Sequence, residues 1–170
     1  MSQVAVARAP DDLDEMFAPD TAPRLGAVPA SRFRHILVPT DLTSRTDKVL
    51  DMAIHLAAVD DSRITLLHVI EAIEGPSNAA IGTFYDHLER KARSSMTRME
   101  SRTWTNGIRC EASIVYGKRV EAIVRYAATH GVDLIVLASH KVSPTAVNRD
   151  VATISYKTGI LAPCPVLLVK

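Results

Sequence analysis

Asp41 and the hydroxyl of Thr40 come directly after the apolar run His35-Ile36-Leu37-Val38, which Pro39 closes. A short apolar run bounded by a turn signal predicts a buried strand. Proline donates no ladder hydrogen bond, so Pro39 is expected where pairing stops. In an open α/β sheet, ligands bind outside the carboxyl ends of the strands. Pro39, Thr40 and Asp41 are therefore the first candidate site residues. An aspartate there also caps the following turn, and the two roles are compatible. The other reactive side chains have plainer explanations. His68 lies among apolar neighbours and reads as a core histidine. His55 has no metal partner one helical turn away. Cys164, between two prolines, has no adjacent base or second thiol. Asp11, Asp12, Asp14 and Glu15 lack the glycine and spacing of a calcium loop. No P-loop, G-x-G-x-x-G, G-x-S-x-G or H-E-x-x-H pattern occurs. Nothing pairs Asp41 with a second catalytic group, so neither an enzyme nor a metal site is expected.

The elements that must position these residues follow from pattern. A chain of 170 residues suits one domain, and 20 basic against 19 acidic side chains leave a net charge of +1. No field of one sign draws nucleic acid or a membrane surface. No apolar stretch reaches the ~20 residues of a membrane helix, and two cysteines make no disulfide framework. A cytoplasmic protein is the expectation. Residues 1–31, rich in Ala, Pro and Asp, read as a mobile extension before a domain over 32–170. Ser44 to Asp47 resembles a capping box, and Val49, Leu50, Ala53, Ile54 and Ala57 repeat at helical spacing. Residues 63–70, RITLLHVI, are apolar on both faces and predict a central strand. Residues 71–82 read as a loop and the next helix as beginning near Phe84. The alternation over 109–116 predicts an edge strand. A helix closed by His130-Gly131 follows, then the strand 132–138, a polar loop over 139–149, a helix ending near Leu161 and a last strand over 166–169. Alternation of this kind means a parallel sheet with helices on both faces.

Four stretches in this order carry a resemblance: ILVPTD, LLHVI, IVLASH and APCPVLLVK. Together they resemble the universal stress protein family (UspA-like domains) from about Phe33 to Lys170. The resemblance implies an open five-stranded parallel sheet of order 3-2-1-4-5, Rossmann-like, with a crevice between the first and fourth strands. It implies ATP or another adenine nucleotide as the ligand. The carboxylate at Asp41 would hold the ribose, and main chain near Val69 would meet adenine. Family members that bind ATP hold its phosphates on a loop of pattern G-x-x-G, a spacer, then G-S/T. Here those positions are Ala138, Lys141 and Ala152-Thr153, with Ser139 and His140 inside the motif. Glycine lets backbone N–H groups approach phosphate oxygens without a Cβ in the way. Lys141 either fills the phosphate space or supplies a cation, while the helix start near Thr153 keeps its oriented N–H groups. His140 and Lys141 also read simply as solvent-facing loop residues.

The last strand, Pro165-Val166-Leu167-Leu168-Val169, is apolar and has no helix after it. At a sheet edge it invites pairing with its own copy about a two-fold axis, and the resemblance implies the same homodimer. The expectation is a non-enzymatic stress-response or signalling dimer with weak or no ATP binding. Two alternatives stand beside it. One is a nucleotide- or anion-binding switch using Asp41, Lys141 and Thr153. The other is a protein-interaction module using the 72–82 and 139–149 loops.

Overall fold

The computed structural model describes residues 33–71, 79–139 and 153–170. The elements are β1 (His35–Thr40), α1 (Arg45–Asp60), β2 (Arg63–Ile70), α2 (Ala79–Thr105), β3 (Cys110–Tyr116), α3 (Arg119–Thr129), β4 (Leu134–Ala138), α4 (Ile154–Leu161) and β5 (Val166–Val169). All pairings are parallel, and the sheet order is β3-β2-β1-β4-β5, as the resemblance implies. Strand alternation divides the core into two layers. Ile36, Val38, Ile64 and Leu66 pack with Val49, Leu50, Ala53 and Met96 on the α1 and α2 side. Leu37, Leu67, Val69 and Ile135 pack with Ala122, Ile123 and Tyr126 on the α3 side. Full burial of each Leu or Ile contributes about 1.5–3 kcal/mol.

Three local expectations are corrected. β1 does not stop at Pro39: Pro39 pairs with Leu67 and Thr40 with His68. The register with β4 ends earlier, at Leu37↔Ile135, so the ladder on that side has opened before the missing donor matters. Ser44 makes no side-chain cap bond, because the residues before it supply the polar groups of that turn. α2 begins at Ala79, so residues 79–82 are helical rather than loop. Ala79 and Ala80 are strong helix formers, and one interior glycine, Gly82, costs only about 1 kcal/mol. The expected extension over 1–31 lies outside the described residues.

The lower end of the sheet holds a buried polar chain. His35, 3% exposed, has Nε2 2.8 Å from Thr65 Oγ1. Thr65 donates its proton to Glu111 Oε1 at 3.1 Å, so its oxygen is left to accept from His35 Nε2–H. His35 Nδ1 lies 3.0 Å from Arg63 Nη2 and 3.1 Å from the His130 carbonyl, so a donor and an acceptor meet at that nitrogen. The Asp133 carboxylate accepts the N–H groups of Arg34 and His35. Burial and then the Arg63 charge hold His35 below its ordinary value, outweighing the opposing pull of the His130 carbonyl, Glu111 and Asp133. The unfolded chain therefore takes up this proton before the folded one. Stability should rise with pH up to the unfolded value of 6.5 and fall as the pH drops below it. Urea midpoints at pH 5.5 and 7.5 should differ more for the wild type than for His35→Gln. An equal difference would remove His35 as the cause.

Candidate functional site

Beyond Leu37, β1 keeps β2 as its partner while β4 continues beside β5. The parting opens a crevice of about 220 Å³ at the carboxyl end of the sheet. Among the described residues, Pro39, Thr40 and Asp41 line it from β1, and Leu67, His68 and Val69 from β2. Leu137 and Ala138 line it from β4, Arg45, Thr46 and Val49 from α1, Arg119 and Ile123 from α3, and Ile154 and Ser155 from α4.

The β1–α1 turn is held by side chains standing in for backbone partners. Thr40 Oγ1 accepts the Leu42 N–H at 2.9 Å and lies 2.9 Å from the Thr46 hydroxyl. Asp41 Oδ1 accepts the Thr43 N–H at 3.0 Å and the Thr43 hydroxyl at 2.6 Å. Asp41 Oδ2 accepts from Arg45 Nη2 at 2.9 Å. Leu42, between them, has φ +61°, a left-handed conformation that costs a side-chain-bearing residue about 1–2 kcal/mol. Packing of Leu42 against the α1-side core and the bond to Thr40 offset that cost.

Burial pushes the Asp41 carboxyl up, but the Thr43 hydroxyl and N–H and the Arg45 charge outweigh it, so the group sits below the usual carboxylate value. Asp41 is thus an acceptor at neutral pH, suited to hydroxyl or cationic donors and not to general-acid work. His68 was expected in the core; it is half-buried and lines the crevice. Its Nδ1 is 2.9 Å from the Thr40 carbonyl. A carbonyl only accepts, so Nδ1 carries the hydrogen and the ring is fixed in that tautomer.

Five candidates from the sequence, Pro39, Thr40, Asp41, Val69 and Ala138, meet in the crevice. Ser139 is not among the lining residues; its N–H donates to the Val169 carbonyl at 2.8 Å and extends the β4–β5 ladder. Thr153 caps α4, its Oγ1 accepting the Tyr156 N–H at 3.3 Å. His140, Lys141 and Ala152 lie outside the described residues. Arg45, Thr46 and Arg119 are not site candidates from the sequence, where Arg45 and Thr46 figure only in the capping box, although each sits in the first turn of a helix that follows a strand. In this topology every such turn lies on the rim. Arg119 pairs with Glu71 at 3.1 Å.

Among the described residues no group of three His, Cys, Asp or Glu side chains is placed to hold a metal, and no helix is long and apolar enough to cross a membrane. Burial pushes the Cys110 thiol up to about 11 and raises that of Cys164, so both stay protonated. The crevice thus offers an apolar slot, one carboxylate and two guanidinium groups. Those features suit an apolar ring system bearing hydroxyls and an anionic end.

Residues 32–170 match the model of the universal stress protein family. A universal stress protein of Bacillus subtilis, YxiE, is 24% identical over 148 residues, covering 81% of this chain and 99% of the relative. A Thermus aquaticus universal stress protein is 27% identical over 139 residues, with the same coverage. Among solved structures, the universal stress protein UspA of Lactobacillus plantarum superposes with a TM-score of 0.68 at 23% identity, over 82% of this chain and 99% of its own. A universal stress protein in complex with cAMP gives 0.63 at 20% identity, over 82% and 98%. An Arabidopsis thaliana family protein with AMP bound gives 0.61 at 19%, over 81% and 91%. At these identities the structural likeness carries the fold.

The turn makes a testable claim about stability. Thr40→Val keeps the shape but strips the acceptor from the Leu42 N–H and the partner from Thr46. It should destabilise the protein by about 1–3 kcal/mol, read as a lowered urea midpoint. An unchanged midpoint would mean that Thr40 does not hold the turn.

Proposed function

This chain belongs to the universal stress protein family, and we propose that it serves there as a non-enzymatic stress-response dimer whose crevice takes the nucleoside end of an adenine nucleotide with a weakened hold on a triphosphate. The observation behind this reading is the slot between β1 and β4. It has an apolar floor of Val49, Leu67, Val69, Ile123 and Leu137 and the Asp41 carboxylate at its lip. An apolar floor accepts a flat ring, and an ionised carboxylate accepts ribose hydroxyls. Structural neighbours whose ligands are cAMP and AMP are consistent with that choice. The weak triphosphate hold rests on sequence alone. In the sequence, Ala138, Lys141 and Ala152 fall at the glycine positions of the pattern whose bare main chain reaches phosphoryl oxygens. With no second catalytic group beside Asp41 among the described residues, binding and not turnover is the proposed activity.

The proposed dimer axis lies along β5. Among the described strands β5 pairs only with β4 and closes the sheet on that side. Leu168 is 42% exposed there, and an apolar strand edge is a template for a second copy.

Two measurements test these readings. Calorimetric titration should give AMP an affinity equal to or tighter than that of ATP, with Asp41→Asn lowering it tenfold or more, the loss of a charge-assisted bond of about 1.5–3 kcal/mol. Lys141→Gly should restore ATP affinity; tight ATP binding by the wild type, or sustained hydrolysis abolished by Asp41→Asn, would overturn the reading. Leu168→Lys, at an exposed position with little cost to folding, should shift the protein from dimer to monomer in sedimentation. A dimer of unchanged stability would move the interface elsewhere.

A further inference from the structure

We infer that Arg45 is an internal competitor for the Asp41 carboxylate, and that a ligand phosphate relieves this competition by drawing the guanidinium away, so that the crevice accepts a phosphorylated nucleoside in preference to the bare one. The inference rests on the proposed nucleoside site and adds to it a rule of selection. Arg45 Nη2 holds Asp41 Oδ2 at 2.9 Å, while Oδ1 is already taken by the Thr43 N–H and hydroxyl. Oδ2, with this one donor against the two from Thr43 on Oδ1, is the oxygen with room for a ribose hydroxyl, which then meets Arg45 there. Both partners line the same crevice, so a ligand meets the pair together.

The pair is exchangeable. Arg45 and Asp41 are 48% and 44% exposed, and an exposed pair of this kind is worth little against solvent. A phosphate presents more charge and a bidentate geometry that guanidinium matches well. Arg119, the second cation on the rim, is itself held by an exposed carboxylate, Glu71, and adds to the field that favours an anion. The Thr43 bonds keep Asp41 in place when Arg45 leaves, since they come from its own turn. Phosphate binding and ribose binding thereby become coupled through one guanidinium, with no movement of the sheet.

The coupling gives opposite signs for two ligands, which a merely structural arginine would not. Adenosine must share Oδ2 with Arg45 or displace it, and offers the guanidinium nothing in return. AMP offers it a phosphate. Titrations of adenosine and AMP against the wild type, Arg45→Gln and Arg45→Ala separate the cases. The wild type should prefer AMP by about tenfold or more. Both variants should bind adenosine about two- to fivefold more tightly, because the competitor is gone, and AMP about tenfold less tightly. Arg45→Ala guards against the glutamine amide taking over the Asp41 bond. If adenosine and AMP weaken together, Arg45 only shapes the turn, and the inference fails while the nucleoside site stands. If neither affinity changes, the phosphate is held elsewhere and the inference fails in the same way. If the wild type binds neither ligand, the proposed function falls first and this inference with it.

Discussion

The site depends on a single disagreement between strands. β1 is central and must satisfy two neighbours, yet its register with β4 ends at Leu37 while its register with β2 runs on to Thr40. The chain leaves β1 toward α1 on one face of the sheet, and the connection into β4 comes from α3 on the other. No backbone can bridge the gap that results, because the two crossovers depart in opposite directions. The crevice is a consequence of winding order. Its residents are whatever side chains happen to end β1, β2 and β4 and to begin α1, α3 and α4.

The turn after β1 answers a second demand. Where a strand ends at an opening, its last N–H groups lose their ladder partners and need others. Thr40 and Asp41 provide them through side chains, and this explains why Ser44 forms no cap although its sequence context suits one. Leu42 accepts a left-handed backbone in exchange for a place against the core. The same bonds that close the turn leave Asp41 ionised and pointed at the cavity. Its two oxygens are divided: Oδ1 holds the turn, and Oδ2 meets Arg45 at the crevice.

Much of this was legible in the sequence, for identifiable reasons. Strands apolar on both faces, such as RITLLHVI, announce a covered parallel sheet, and the Pro-Thr-Asp at the end of the first strand falls where topology opens the crevice. What escaped was contact across elements. His68 looked like a core residue because its neighbours in sequence are buried. Its ring instead reaches the Thr40 carbonyl on the adjacent strand, a pairing set by register and invisible in one strand alone. Arg45 and Arg119 carry no signal of their own, since nothing in the local sequence marks a helix's first turn as the rim of a cavity. Pro39 misled in the other direction: its missing donor suggested an end to pairing, whereas the strand had already been released on one side only.

These points together bear on what the glycine positions can decide. A glycine-rich loop holds an anion in one way, through bare main chain. The described crevice offers another, through guanidinium groups anchored on α1 and α3, elements whose positions are set by the core layers on each face of the sheet. Main-chain donors contribute through their number and fixed direction, whereas arginines contribute charge and can move. A site that relies on the first favours a long phosphate chain laid along a loop. A site that relies on the second favours a short, highly charged group that a side chain can turn to meet. With Ala138, Lys141 and Ala152 at the glycine positions of that pattern, the guanidinium groups of Arg45 and Arg119 are the cations that the described crevice provides. On the proposed reading, discrimination then lies at the β1–α1 turn, where Arg45 and a ligand hydroxyl would compete for Asp41 Oδ2.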